Sequence, residues 1–385
     1  MKIVVLASRF PYPLEKGDKL RLFHQIKLLA EHHEVHLLSI TDKKPKESQI
    51  HKLAEFCTTI EYYKLPVRRR LFAVLTGWIK GLPAHVSYFY NAGIRKKIYA
   101  HVNSLAPDLV FCQLVRMMPY TSDLKGVKWI DLMDSYSLNL RRRTEKSGWL
   151  DRLWLKPEVK RMELMERKAL EQFDLVSIIS EQDRDSILSP LKDKIEILSN
   201  GVDLTYFAWN KNEIKEYDVA FAGNLGYEPN VNAVLVLFDI YRNSLSEYRF
   251  IIAGARPSRK ITVLNDERFV VKGWMEDIRD VYYQARIFVA PLFTGSGQQN
   301  KILEAMACGI PVITTSLVNS AIGAVPGESV LLADSPDEFE SQINYLLNHP
   351  EVAERIAYNA LQLVKCKYSW HHIGLQLERF LTQTV

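Results

Sequence analysis

Residues 295–312, GSGQQNKILEAMACGIPV, set two glycines, three amides and a lysine directly before an apolar run at helical spacing. Backbone N–H groups at a helix N-terminus lack intrahelical partners and carry partial positive charge. Such a loop suits an anion. Gly295 and Gly297 let the backbone approach a phosphate, with Ser296, Gln298, Gln299 and Asn300 around it. Lys301 adds a full charge, and Glu304, one turn into the helix, is placed to accept hydrogen bonds from a ribose diol. Gly309 is expected to cap the helix in left-handed geometry before Pro311. The same residues also read as a plain loop–helix–strand unit with a solvated Glu304. The loop matches neither a Walker A motif nor GxGxxG.

Two other stretches carry candidate chemistry. KGDKLR (16–21) joins a flexible Gly17 to basic residues at a helix start, with Asp18 as the expected N-cap and Lys19 solvated. Asp183-x-Asp185 has the form of a metal-binding carboxylate pair. Ser180-x-x-Asp183 directly after a strand is a capping box, however, and that reading is preferred. The ten histidines show no metal spacing, and the four cysteines lie far apart with no CxxC. They read as reduced thiols of a cytosolic protein, with no disulfide framework or zinc site.

These residues need elements to hold them. The first half alternates short apolar runs (2–8, 34–40, 107–114, 127–134, 173–180) with helical patterns such as 18–33, where Leu22, Ile26 and Leu29 fall on one face. The second half restarts the rhythm at 217–224, 248–255, 268–274, 285–292, 310–316 and 329–334. Alternating strands and helices predict parallel sheets covered on both faces. The fold class is therefore α/β, as two Rossmann-like domains facing each other across a cleft, with ligands beyond the carboxyl ends of the strands. The expected domains are 1–197, 198–365, and a segment 366–385.

The chain has 385 residues, 47% hydrophobic and 25% charged, an ordinary globular composition. The N-terminal apolar run is too short for a signal peptide. The segment 71–82 is broken by Lys80 and is far short of a membrane span. Charge is uneven. Residues 1–200 hold 34 Lys and Arg against 24 Asp and Glu, a balance of +10; the rest hold 16 against 21, a balance of −5. The first half is expected to face something anionic, whether membrane, nucleic acid or phosphorylated substrate.

NKILEAMACGIPVITTS (300–316) resembles the donor-site helix of family 4 of the retaining GT-B glycosyltransferases. DVAFAGNLGYEPNVNAV, FIIAGARP and VVKGWMEDIRDVYYQARIFVAPL are similar to that family's C-terminal domain, and LSNGVDLTYF to its hinge. The opening of the chain resembles a bacterial subgroup linked to exopolysaccharide loci. The resemblance implies a nucleotide-diphosphate sugar, UDP or GDP, bound mainly by the C-terminal domain, with no metal and no other cofactor. Glu304 would address the ribose, and the backbone at Gly273 and Trp274 the base. Gly223, Asn224 and Arg256 would line the diphosphate side, and the loop of Gly17 and Asp18 would cover it. The leaving phosphate would deprotonate the acceptor on the same face. The C-terminal helix would return to the N-terminal domain.

The chain departs from the family in three places. Ser296 stands where a first glutamate is usual. Asn224 stands where the family places bases, which leaves Arg256, Arg259, Lys260 and above all Lys301 to balance the diphosphate. IDLMDSYS stands where many members have a histidine, so that Asp131 or Asp134 takes its place. Strand-end and turn chemistry is the competing reading for both. Asp134, Lys301 and Glu304 are taken as the catalytic set.

Residues 62–80 and 139–162 mix Arg and Lys with Trp, Phe and Leu. This suits an anionic membrane surface, where each basic group contributes about 1 kcal/mol. The alternative is a solvated face with Trp78, Trp149 and Trp154 in the core. No nucleic-acid motif is present. The expected function is transfer of a sugar to a lipid-linked glycan at the cytoplasmic face of the membrane. The competing functions are a nucleotide-sugar epimerase of GT-B fold and a non-catalytic nucleotide-sugar-binding protein.

Overall fold

The computed structural model describes residues 1–79, 81–210, 213–294 and 298–382. The chain divides into two compact units, Met1–Ser199 with Gly374–Val385, and Asn200–Ile373. The sequence divides at 197/198 and 365/366; the spatial division falls at 199/200 and 373/374.

The first unit is built on β1 (Lys2–Ala7), β2 (Glu34–Thr41), β3 (Thr59–Lys64), β4 (Leu109–Gln113), β5 (Val127–Asp131), β6 (Leu175–Ile178) and β7 (Ile195–Ile197). Their order in the sheet is β3-β2-β1-β4-β5-β6-β7, and every pairing is parallel. Ile3, Val4, Val5 and Leu6 are all fully buried. Continuous burial of both strand faces is what a sheet covered by helices on either side demands. Leu22, Ile26 and Leu29 form the buried stripe of the helix Gly17–Leu29. The strands β3 and β7 are not evident in the sequence. β3 is a half-exposed edge strand, TIEYYK, and β7 has three residues.

The helix Trp370–Thr382 contributes its latter part to this unit. Phe380 packs edge-on against Trp129 at 5.7 Å. Gly374 lies so close to Leu28 that a Cβ there would stand 2.9 Å from its Cδ2.

The second unit holds β8 (Tyr217–Ala222), β9 (Phe250–Ala253), β10 (Phe269–Lys272), β11 (Ala285–Ala290), β12 (Val312–Thr314) and β13 (Leu331–Leu332). The order is β10-β9-β8-β11-β12-β13, again all parallel. All six lie within the stretches read from sequence. Each sheet reverses its strand order once at its centre, between β1 and β4 and between β8 and β11. In open α/β sheets ligands bind at such points, beyond the carboxyl ends of the strands.

Candidate active site

In the second unit the reversal brings two loops together, one after β8 and one after β11. The loop after β11 leads into the helix Asn300–Ala307, which starts at the expected place. Gly309 follows the helix with φ +73°, the left-handed turn that the sequence requires. Lys301 does not extend into solvent. It is half-buried, its ammonium donates to Asn230 Oδ1 at 2.5 Å, and it stands 4.8 Å from the centre of the Phe221 ring. Burial lowers its pKa to about 7, against the opposing pull of Glu304. Glu304 is half-buried rather than solvated, and accepts a hydrogen bond from the Tyr282 hydroxyl at 2.8 Å. Burial raises its pKa, while Tyr282 and Lys301 act the other way.

The loop after β8 is shaped by two glycines. A Cβ on Gly223 would stand 2.8 Å from Lys301 Nζ. A Cβ on Gly254, at φ +147°, would overlap the carbonyl oxygen of Gly223. Asn224 accepts from the N–H of Gly226 at 3.0 Å through its own side chain, and its carbonyl accepts from Asn230 at 2.9 Å. Arg256 holds φ +57° beside Gly226. Gly273 accepts from the N–H of Gly254 at 3.0 Å, and Trp274 is 73% exposed. Lys301, Asn224, Gly223 and Arg256 thus gather at the mouth of β8 and β9, with Glu304 close to Lys301.

Of the loop residues, Gly295, Ser296 and Gly297 lie outside the described residues. Gln298 is buried and pairs with the backbone of Asn200, accepting from its N–H at 2.7 Å and donating to its carbonyl at 3.2 Å. Asn300 accepts from the Asn200 side chain at 3.0 Å. These two amides tie the loop to the start of the unit. Gln299 occupies the N-cap position. Asn230 and Tyr282 are the site residues that the sequence does not flag. Both lie in stretches that resemble the family, but neither was given a role there, and each reaches the site from another helix.

In the first unit Asp18 is not the N-cap; Lys16 holds that position. Asp18 stands two residues in, where Arg9 and Arg116 both donate to its Oδ2 at 2.6 Å. Burial opposes its charge, but the two arginines outweigh that and lower its pKa. Arg116 also donates to Ser8 Oγ at 2.6 Å and meets His85 Nε2 at 3.2 Å. His85 stacks on Tyr136 at 4.2 Å. Burial, then Arg116 and Arg9, lower its pKa to about 3, so this histidine is neutral. Gly17 meets Met133 of the loop after β5, 3.2 Å from its potential Cβ.

Asp131 and Asp134 have separate fates. Asp131 is fully buried and bidentate to Arg21, at 2.6 and 2.9 Å, with further bonds from Gln25 and Ser177. It is a core ion pair. Asp134 is half-buried just beyond β5 and accepts from Asn139 at 2.9 Å. Burial first, and then Asp183, raise its pKa to about 6. Asp183 belongs to the helix cap that the sequence predicts, with Ser180 as the N-cap. Ser180 Oγ accepts from its N–H at 3.2 Å and donates to its carboxylate at 2.5 Å.

Residues 216–349 match the family model for glycosyl transferases group 1. The group 1 glycosyl transferase match thus lies in the second unit of a GT-B fold. Among solved structures, HepE of Anabaena with UDP superposes with a TM-score of 0.74 over 100% of both chains at 15% identity. Sucrose-phosphate synthase of Thermosynechococcus elongatus gives 0.72 over 100% of this glycosyltransferase and 99% of that chain, at 16% identity. An uncharacterized 44.6 kDa protein in the cps region of Klebsiella pneumoniae is 22% identical over 95% of this chain and 96% of its own. The O-antigen chain mannosyltransferase B of Escherichia coli is 25% identical over 57% of this chain and 64% of its own.

No helix among the described residues of this glycosyltransferase is long and apolar enough to cross a membrane. The helices Val67–Ile79 and Trp149–Gln172 expose much apolar surface all the same. Leu71, Phe72, Leu75 and Ile79 are exposed on the first, and Trp149, Leu150, Leu153 and Trp154 on the second. Trp149 and Trp154 are therefore not core residues. Trp78 is half exposed and lies under the Arg161 guanidinium at 4.8 Å. Arg70 is the exception among the basic groups: it is buried and donates to the Leu65 carbonyl at 3.0 Å. A cavity of about 490 Å³ beside the second apolar turn is lined by Arg141, Arg152, Lys156 and Lys160 among others.

Proposed function

We propose that this glycosyltransferase moves a sugar from a nucleotide-diphosphate donor to a lipid-linked glycan of a bacterial surface polysaccharide, with retention of configuration and without a metal. The observation that carries the reading is the half-buried Lys301. It is a cation in a dry position beside a helix N-terminus, with Gly223 keeping the space over its ammonium open. A diphosphate supplies the charge that such a lysine lacks. Glu304, oriented by Tyr282, is then the ribose acceptor. Lys301 stabilises the negative charge that grows on the leaving phosphate, which takes the acceptor proton on the same face. Asp134, with a carboxyl poised near 6, orients the acceptor hydroxyl.

Similar proteins support the donor and pathway class. HepE was solved with UDP-glucose, and CapM of Staphylococcus aureus, 22% identical over 53% of this chain and 60% of its own, is a capsular polysaccharide glycosyltransferase. The exposed apolar turns flanked by Arg68, Arg69, Arg152, Lys156 and Lys160 fit an anionic lipid surface. On this reading the transfer takes place at the cytoplasmic face of the membrane. The test is thermal stabilisation by UDP-, GDP-, ADP- and dTDP-sugars on wild type and Glu304→Ala, since a ligand of the native state raises its stability. A shift with one nucleotide, lost in the variant, is expected. No shift with any of them overturns the reading.

A further inference from the structure

The first unit gathers positive charge at one place, around Phe89, with few carboxylates in contact with it. Three guanidinium groups surround the Phe89 ring, Arg116 at 4.5 Å, Arg70 at 5.2 Å and Arg9 at 5.6 Å. One carboxylate oxygen, Asp18 Oδ2, serves both Arg9 and Arg116. The other nearby carboxylates are engaged: Asp131 is paired with Arg21, and Glu158 with Arg161 at 2.8 Å. Asp134 is held near 6 and bonds to Asn139. His85 adds no charge, but as a neutral ring it can give or take a hydrogen bond. Arg9 and Arg116 follow the carboxyl ends of β1 and β4, at the reversal of the first sheet.

We propose that Arg9, backed by Arg116 and flanked by His85 and Tyr136, docks a phosphate group carried by the acceptor. The inference rests on the glycosyltransferase reading above. Arg116 is locked by Ser8, His85 and Asp18 and is buried, so it supplies field and rigidity. The Arg9 side chain is 34% exposed and is the group a ligand reaches. A planar guanidinium matches two phosphate oxygens at once. On the reading above Lys301 and Arg256 serve the donor's diphosphate, so this local cluster of guanidinium groups answers to a second anion.

The experiment is calorimetric titration of the full chain with inorganic pyrophosphate, after saturation with the nucleoside diphosphate that the stability panel selects. Pyrophosphate is expected to bind wild type with the nucleotide site filled. Arg9→Gln should weaken it about tenfold or more, and Arg9→Lys should recover part of the loss. Arg9→Lys keeps the pair with Asp18, so it carries the comparison if Arg9→Gln fails to fold. Pyrophosphate binding that nucleotide abolishes assigns the arginines to the donor and overturns the proposal. Binding unchanged in Arg9→Gln overturns it too. Nucleotide binding, read on Glu304→Ala, fails or succeeds separately. A polyprenyl diphosphate sugar and a sugar 1-phosphate distinguish the two sources of the phosphate. The true acceptor shows a raised KM with kcat retained in Arg9→Gln, and no change for either overturns the assignment.

Discussion

Lys301 donates to Asn230 Oδ1 at 2.5 Å, and Asn230 in turn donates to the carbonyl of Asn224 at 2.9 Å. One amide therefore ties the helix Asn300–Ala307 to the loop after β8. It also fixes the lysine where burial holds its pKa at about 7.

A pH dependence follows. Above pH 7 the unliganded lysine loses its proton, so binding a diphosphate requires proton uptake. Nucleotide affinity should fall as pH rises from about 7 toward the ordinary lysine range, and Lys301→Met should remove that slope. The stability sign is opposite. The unfolded lysine holds its proton to higher pH, so this group's contribution to stability increases from about pH 7 upward and is lost below it. Calorimetric titration across this range checks the first, and thermal unfolding the second. Lys301→Met should weaken binding by about 1.5–3 kcal/mol at neutral pH.

Gly223→Ala places a methyl 2.8 Å from the Lys301 ammonium and the Asn230 amide. Both are ends of side chains, which can shift. The expected result is a folded protein with nucleotide affinity reduced at least as much as in Lys301→Met. Gly254→Ala meets backbone instead, at a positive φ, and should fail to give a folded second unit. Circular dichroism separates the two outcomes.

Tyr282→Phe removes the hydroxyl bonded to Glu304 and nothing else. A loss of about 1 kcal/mol of stability is expected. Nucleotide affinity should also fall, because Glu304 is no longer oriented. Wild-type affinity in this variant would show that Glu304 does not address the nucleotide.

Asp134 and Glu166 have carboxyls raised by burial to about 6 and about 7. A folded pKa above the unfolded one contributes stability below the unfolded value, and that stability is lost as pH rises through the folded value. Thermal stability should therefore decline between about pH 4 and 7. Asp134→Asn and Glu166→Gln should each flatten that decline. Only Asp134→Asn should also lower the rate of transfer, since Glu166 bonds to Ser137 N–H inside the unit.

Trp149→Ala combined with Arg152→Gln and Lys156→Gln should reduce co-sedimentation with phosphatidylglycerol vesicles and leave phosphatidylcholine unchanged. Arg68 and Arg69 are the appropriate targets on the other helix, because Arg70 is part of the packing. Undiminished sedimentation would remove the proposed lipid face.

The sheets were legible because buried parallel strands are written as continuous apolar runs: KIVVLA, FIIA and ARIFVA need no partner to be recognised. The edge strand TIEYYK was not, since half its residues look outward and its apolar face is thin. Asp183 was legible as part of a cap because a cap is local, made with the N-cap Ser180 three residues before it. Asp18 was not, because its partners Arg9 and Arg116 are brought to it by two other strands. Lys301 and Glu304 stood out as residue types at a helix start. Their partners Asn230 and Tyr282 come from distant helices, and no spacing rule connects them.

Phe380 packs on Trp129, Gly374 fits against Leu28, and His33 meets Glu378 at 3.3 Å. On the ribosome, the unit that begins with β1 must wait for these residues before its core can close. The intervening unit, with its own sheet complete, is free to fold first. The domain synthesised earliest is thus the one finished last, and until then the apolar surface around Trp129 and Leu28 is left open to chaperones.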